Sequence, residues 1–323
     1  MAPSDRLPLP NDWLAPDEIW WIEPEPGIRL RAGLWHAQDA LGHVVFLTGR
    51  TEYLEKVALP AEQFVARGFS VITLDWRGQG LSSRQAEPGM KGHIGDFAEF
   101  QRDLDALLAS DQARALSGTR VLAGHSMGGG IATHALARPE VLETLDAAVL
   151  NAPMLGIAMS PVMRAAAWLT MKIGIALGHA KSWPPFGDVK TPYVLTEPED
   201  NVLTSDQAVL DWMVDVARTR PDSAIASPTL GWYRAASDAM QRASAFPAPN
   251  LPVLCLLGEN ERVVDQQAVR AGAARMDAKL VHLEAAQHEV LIENPGIRET
   301  VWRAIDSFFD ANGLPRRDPA NGA

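Results

Sequence analysis

"TRVLAGHSMGGGIATHAL" (residues 119–136) decides the fold. A β-branched and apolar run leads into Gly124-His125-Ser126-Met127-Gly128, and a helix-like run follows at once. A serine between two glycines at a strand-to-helix joint is the pattern of a nucleophile elbow. There the serine adopts a strained backbone conformation that lifts its hydroxyl clear of the sheet edge. Gly124 and Gly128 are required because a side chain at either position would collide with the neighbouring strand or helix. The helix that follows aims its N-terminus at the site and favours developing negative charge. The backbone N–H of Met127 is then one donor to an oxyanion.

Outward from this joint, short strand-like runs alternate with helix-like ones. "EIWWIE" and "IRLRAGLWHA" read as an opening pair of strands, and "HVVFLTG", "FSVITLDW", "TRVLAGH" and "LDAAVLNAP" as further strands. Between them lie a helix from about Tyr53 to Arg67 and the amphipathic "FAEFQRDLDALLAS". Such alternation implies a parallel sheet covered on both faces. From Met154 to Ala245 no buried strand is apparent; helical segments rich in Ala, Met and Trp replace it. The alternation returns with "LPVLCLLG", a helix from about Gln266, "KLVHLEA" and a last helix through "IRETVWRAIDSFFDANG". The expected organisation is a core formed by residues 1–153 and 246–323, interrupted by a helical insertion at 154–245. The tail "LPRRDPANGA" is expected to fray.

Composition narrows the function. The chain has 323 residues and a net charge of −11, which disfavours nucleic acid and polybasic docking on anionic lipid. Its single cysteine, Cys255, excludes an internal disulfide and reads as a small buried hydrophobe. The N-terminal stretch lacks a basic region followed by an apolar core, and no 18-residue apolar run is free of charge. The expectation is a cytoplasmic protein, at most peripheral to the inner membrane. No cofactor or metal is expected.

A serine nucleophile needs a base and an acid, which in this frame follow it in the order acid, then histidine. His282 lies inside a strand run, whereas His288 stands in the loop just past it, so His288 is the expected base. The loop after "PVLCLLG" offers Glu259, Glu261 and Asp265. Glu261 is favoured as the acid. Asp265 remains the alternative, although it also stands where a helix cap is needed. The second oxyanion donor should come from "TGRTEYLEK" (48–56): Gly49 permits close backbone approach, the N–H of Arg50 would face the carbonyl, and Glu52 would orient the loop.

These segments, with "LDWRGQGLSSR", "GDFAEFQRDL", "AAQHEVLIE", "NVLTSDQ" and "SPTLGWYRA", resemble the bacterial lysophospholipase and monoacylglycerol lipase branch of the α/β-hydrolases. That branch usually has His-Gly-x-x-Glu in the first loop; here Thr48 replaces the histidine while Gly49 and Glu52 persist. It usually has aspartate as the acid, at the position of Glu261. The resemblance implies an α/β-hydrolase fold, with a mostly parallel eight-stranded sheet flanked by helices and a helical cap inserted after the sixth strand. It implies a serine esterase acting on a small amphiphilic ester, a lysophospholipid or monoacylglycerol, with transient membrane or micelle contact through the cap. Met154, Leu155, Ile157, Met159, Met163, Trp168, Leu169, Met171 and Ile173 give that cap an adaptable apolar surface. Three readings compete: a short-chain carboxylesterase or thioesterase, an aminopeptidase-like hydrolase anchoring an amine on Glu197, Glu199 or Asp200, and a non-catalytic binding protein.

Overall fold

The computed structural model describes residues 5–185, 190–196 and 201–319. Eight strands form one sheet in the order β1-β2-β4-β3-β5-β6-β7-β8. β1 (Glu18–Glu25) and β2 (Ile28–Trp35) form an antiparallel pair. β3 (Gly42–Leu47) leads through a short 3₁₀ turn at Leu54–Val57 into α1 (Ala58–Ala66), and β4 (Phe69–Leu74) returns beside β2. Next come α2 (Ala98–Leu108), α3 (Asp111–Ala115), β5 (Thr119–His125), α4 (Met127–Leu136), α5 (Pro139–Leu142) and β6 (Ala147–Asn151). Then α6 (Pro161–Ala176), α7 (Gln207–Thr219) and α8 (Leu230–Ala243) intervene before β7 (Val253–Gly258), α9 (Gln266–Arg275), β8 (Lys279–Leu283) and α10 (Pro295–Ala311). From β4 to β8 every neighbouring pair is parallel. All eight strand runs expected from sequence pattern are present, and 154–245 holds no strand among its described residues.

The period-two geometry of a strand sorts its residues onto two faces. Val45, Leu47, Leu122, Leu150, Cys255 and Leu257 join a core with residues of α2, α4, α8 and α9. Their neighbours Val44, Phe46, Val121, Val149, Leu254 and Leu256 join a second core with α1 and α10. Both faces are therefore buried, which is why the central strands read as continuous apolar runs. Cys255 is fully buried, and burial pushes its thiol up to about 12, so it behaves as a hydrophobe.

One expectation is corrected here. The C-terminal tail is tied down as far as it is described: the Arg316 guanidinium pairs with Asp310 at 2.8 Å, and the Arg317 N–H bonds the Arg67 carbonyl. His282 lies on β8 as expected, exposed, with its ring against Arg270. The insertion also packs unevenly. α7 buries Val209, Leu210, Trp212, Met213 and Val216, whereas α6 buries only Met171 and leaves Met163, Trp168, Leu169, Ile173 and Leu177 more than half exposed.

The second core depends on aromatic contact between the two helices on that face. Phe64 of α1 is fully buried and meets the Trp302 ring of α10 edge-on at 4.9 Å. Phe64→Ala should lower stability by about 3–5 kcal/mol through lost burial and an unfilled cavity, read as a drop in the thermal midpoint.

Candidate active site

The elbow is steric in origin. Ser126 has φ 52° and ψ −117°, outside the regions open to an unstrained L-residue. Three backbone hydrogen bonds hold it there: its N–H donates to the Asn151 carbonyl at 2.9 Å, and its carbonyl accepts from Gly130 at 3.0 Å and Met154 at 2.8 Å. α4 can start this close to the sheet only without side chains. A Cβ on Gly128 would lie 2.0 Å from the Leu47 oxygen, and one on Gly124 would lie 2.7 Å from the Gly128 oxygen. The serine therefore ends β5 and caps α4 at once. Its Oγ makes no hydrogen bond among the described residues.

The loop after β8 brings His288 to this turn. Its ring lies 4.6 Å, centroid to centroid, from that of His125, the residue before the serine. Its Nδ1 donates to Glu261 Oε2 at 2.6 Å. The other oxygen of Glu261 accepts the N–H groups of Val263 at 2.6 Å and Val264 at 3.0 Å. Burial alone would raise this carboxyl; the bond and charge of His288, with those two N–H groups, hold it below the usual range. Glu261 is thus ionised and fixed in orientation, and it keeps the remaining ring nitrogen of His288 free to act on a hydroxyl.

Asp265 has other work. Its Oδ1 caps α9 by accepting from Gln267 and Ala268, and its Oδ2 meets Arg164 of α6 at 3.1 Å. Glu259 accepts the Ala285 N–H. Of the three acids in this loop, only Glu261 is bonded to His288 among the described contacts.

The loop after β3 is pinned from several sides. Trp76 Nε1 donates to the Thr48 carbonyl at 2.9 Å, Gln79 accepts the Thr51 N–H at 2.6 Å, and Asp75 accepts the Leu54 N–H at 2.7 Å. Glu52 accepts the N–H of Gly49. The N–H groups of Arg50 and Met127 have no acceptor among the described residues, as two donors awaiting an oxyanion require.

A buried ionic cluster underlies all three segments, and most of it escaped sequence reasoning. Lys56 Nζ lies 2.8 Å from Glu52 Oε1 and 2.6 Å from Glu289 Oε1. His125 Nε2 lies 3.3 Å from the other oxygen of Glu289, and its Nδ1 lies 2.9 Å from the Asn151 amide. Glu52, His125 and Glu289 offer ligand atoms within 4.8 Å of one another, and the Lys56 ammonium pairs with the two carboxylates of this group. Burial would lower the pKa of Lys56 and of His125, but the carboxylates of Glu289 and Glu52 outweigh it and raise both. Burial would raise Glu289, and Lys56 and His125 reverse that to hold it well below the usual carboxylate range. Glu289 adjoins His288, His125 adjoins Ser126, and Glu52 holds Gly49, so one cluster ties the three loops together.

A second clasp joins the His288 loop to the insertion. The His288 and Glu289 N–H groups donate to the Val202 and Leu203 carbonyls, at 3.3 and 2.8 Å. The fully buried Glu293 accepts from Ser205 and from the Gln287 N–H. In the sequence, only the resemblance of "NVLTSDQ" to the bacterial lysophospholipases marked this segment. Glu197, Glu199 and Asp200, proposed as amine anchors, lie outside the described residues.

Comparison with known proteins agrees with this architecture. Residues 38–295 match the model of a family described as serine aminopeptidase S33, and the chain belongs to that family. Over 327 residues it is 29% identical to the lysophospholipase L2 of Escherichia coli K12, covering 95% of this chain and 92% of that one. It is also 29% identical to a monoacylglycerol lipase of Mycolicibacterium smegmatis, covering 83% and 88%. A soluble variant of the Saccharomyces cerevisiae monoglyceride lipase, solved with a substrate analogue, superposes with a TM-score of 0.71 at 18% identity, covering 95% and 99%. The fold is that of the α/β-hydrolases.

Two measurements separate the roles. Glu261→Gln should lower kcat by about four orders of magnitude by mis-setting the His288 tautomer. Asp265→Asn should leave kcat within about tenfold and cost at most about 2 kcal/mol of stability as a weakened cap. Lys56→Met, which strands two buried carboxylates, should destabilise by about 3–5 kcal/mol in denaturant titration. Adding Glu289→Gln to Lys56→Met should recover part of that loss.

Proposed function

We propose that this chain is a serine hydrolase cleaving carboxylic esters of single-chain lipids, with Ser126 as nucleophile, His288 as general base and Glu261 as the acid that orients it. The observation that carries the reading is the convergence at one sheet edge of a serine held at positive φ and a histidine whose Nδ1 is bonded to a buried carboxylate. His288 Nε2 takes the proton of Ser126 as Oγ attacks the acyl carbonyl. The N–H groups of Met127 and Arg50 receive the oxyanion. His288 then gives that proton to the departing alcohol, leaving an acyl-enzyme. Water, deprotonated by the same nitrogen, releases the fatty acid and frees the serine.

The lipid substrate is supported by the names of the relatives and by the insertion. A cavity of about 340 Å³ is lined mainly by apolar side chains, among them Leu155, Ile157, Trp168, Met171 and Met240, with the Arg164–Asp265 ion pair also in its wall. Leu155, one of the lining residues, follows Met154, whose N–H bonds the Ser126 carbonyl. We assign it to the acyl chain and assign residues 154–245 the role of a cap. A larger cleft of about 610 Å³ between α1 and α10 is lined by Asp12, Glu62, Arg67, Arg298 and Arg303, chemistry unsuited to an alkyl chain. No helix among the described residues is long and apolar enough to cross a membrane. We assign the exposed apolar residues of α6 to contact with the micelle or bilayer surface that presents the substrate.

A fluorophosphonate probe should label the wild-type protein and not Ser126→Ala. Hydrolysis should be greatest on long-chain monoacyl lipids. A maximum on acetyl or butyryl esters, with no turnover of long chains, would replace the lipid reading by that of a short-chain esterase.

A further inference from the structure

The side chain of Arg50 is not accounted for by the chemistry above, which uses only its backbone. It leaves the oxyanion loop toward the seam between core and insertion. There Nη2 donates to the Ala226 carbonyl and Cζ lies 5.4 Å from the centre of the Trp232 ring. A Cβ on Gly92 would lie 2.3 Å from the same Nη2, so the guanidinium packs directly against this glycine. Nε is withdrawn from solvent and has no hydrogen-bond partner, and Nη1 has none among the described residues. No carboxylate pairs with this guanidinium among the described residues, although acids outnumber bases by 40 to 29 in the chain. Burial without a counter-ion pushes its pKa down to about 10. A half-buried cation with no counter-ion among the described residues adds little to the stability of the fold. The fold engages Nη2 on the Ala226 carbonyl and the cation's face on the Trp232 ring, and leaves Nε and Nη1 without an acceptor among the described residues.

The surroundings reinforce the sign of the charge. Gly92 pairs with Pro228 beside the guanidinium, and the flanking His93 is held low by burial first and then by Lys181, Lys91 and Arg234, against Glu99 alone. Lys91 stands over the Trp183 ring at 5.3 Å, and neither it nor Lys181 has an ion pair among the described residues. A positive seam therefore reaches from the surface to the oxyanion loop of a strongly acidic protein.

We propose that the Arg50 guanidinium binds the head-group phosphodiester of a lysophospholipid, so that the enzyme prefers lysophospholipids to monoacylglycerols. The inference rests on the ester-lipid reading and deepens it. The backbone N–H of Arg50 meets the reacting carbonyl, and in a lysophospholipid a glycerol unit separates that carbonyl from the phosphate. An arginine side chain spans a similar length, so one residue addresses both ends of the glycerol. Nε and Nη1 lie on different edges of the guanidinium, and each offers a charge-assisted N–H to a phosphate oxygen. A monoacylglycerol ends in hydroxyls and leaves the cation unpaired.

The test compares wild type, Arg50→Lys and Arg50→Gln on a palmitoyl lysophosphatidylethanolamine and on palmitoylglycerol. The readout is the ratio of the two kcat/KM values, because either substitution also touches the oxyanion loop. In Arg50→Gln the ratio should fall about ten- to a hundredfold, as the loss of a charge-assisted contact predicts, with Arg50→Lys intermediate. A ratio within about twofold of wild type, whatever the absolute rates, would overturn the proposal and make Arg50 a clamp between the loop and the insertion. If the wild type cleaves neither lipid but still cleaves a nitrophenyl ester, the lipid reading has failed separately. Glycerol phosphate as a competitive inhibitor of that ester assay then decides the matter. Inhibition lost in Arg50→Gln supports the anion site, and no inhibition of the wild type overturns it.

Discussion

The ammonium of Lys56 sits out of water between the carboxylates of Glu52 and Glu289, with the His125 ring closing the group. Taken singly, each of these charges would be expensive to bury. Together they answer one another: the ammonium bridges the two carboxylates, and the His125 ring meets Glu289. The arrangement matters because of where its members are anchored. Each belongs to a segment that must deliver one part of the proposed reaction: the oxyanion loop, the elbow and the histidine loop. Those segments are far apart in sequence and end on different strands, so nothing local could hold them in register. Electrostatic balance under the site does so without placing any of these four side chains on the serine hydroxyl.

Above that base, the geometry is set by close backbone contact. Gly128 lets α4 begin against β3, and the helix in turn forces Ser126 into its unfavourable backbone region. Strain of this kind persists only when its surroundings over-determine it. Here the hydrogen bond from Ser126 to the Asn151 carbonyl and those it accepts from Gly130 and Met154 supply that determination. Fold and site are not separable: the packing that completes the sheet is the packing that exposes the hydroxyl.

Much of this was legible in the sequence because it is written in local pattern. Strand runs alternate with amphipathic stretches, so the sheet could be read. Gly124, Ser126 and Gly128 occupy fixed offsets, so the elbow could be read. His288 stood out because it alone followed the last strand in a loop. The choice between Glu261 and Asp265 was harder, since both lie within a few residues in one loop. What separates them is the direction of each side chain: Asp265 turns to the start of α9 and to Arg164, Glu261 to His288. Lys56 and Glu289 were not legible at all. A lysine in a helical turn and a glutamate in a loop normally face water, and only the approach of residues 233 positions apart puts these two in contact. Arg50 was noticed for its amide and not for its guanidinium, because no pattern in "TGRTEYLEK" shows that the charge goes unanswered.

The backbone bonds between Val202–Leu203 and His288–Glu289 constrain how the insertion can shift. If that stretch is pulled away, the imidazole loses its mooring along with the roof. Admission of a long chain and preservation of the base are compatible only if the parting happens elsewhere. If the insertion is the proposed cap, the α6 flank, whose helix buries a single side chain, is the side with the least packing to give up. The enclosure would then work like a door hung at the histidine and unlatched at the far edge.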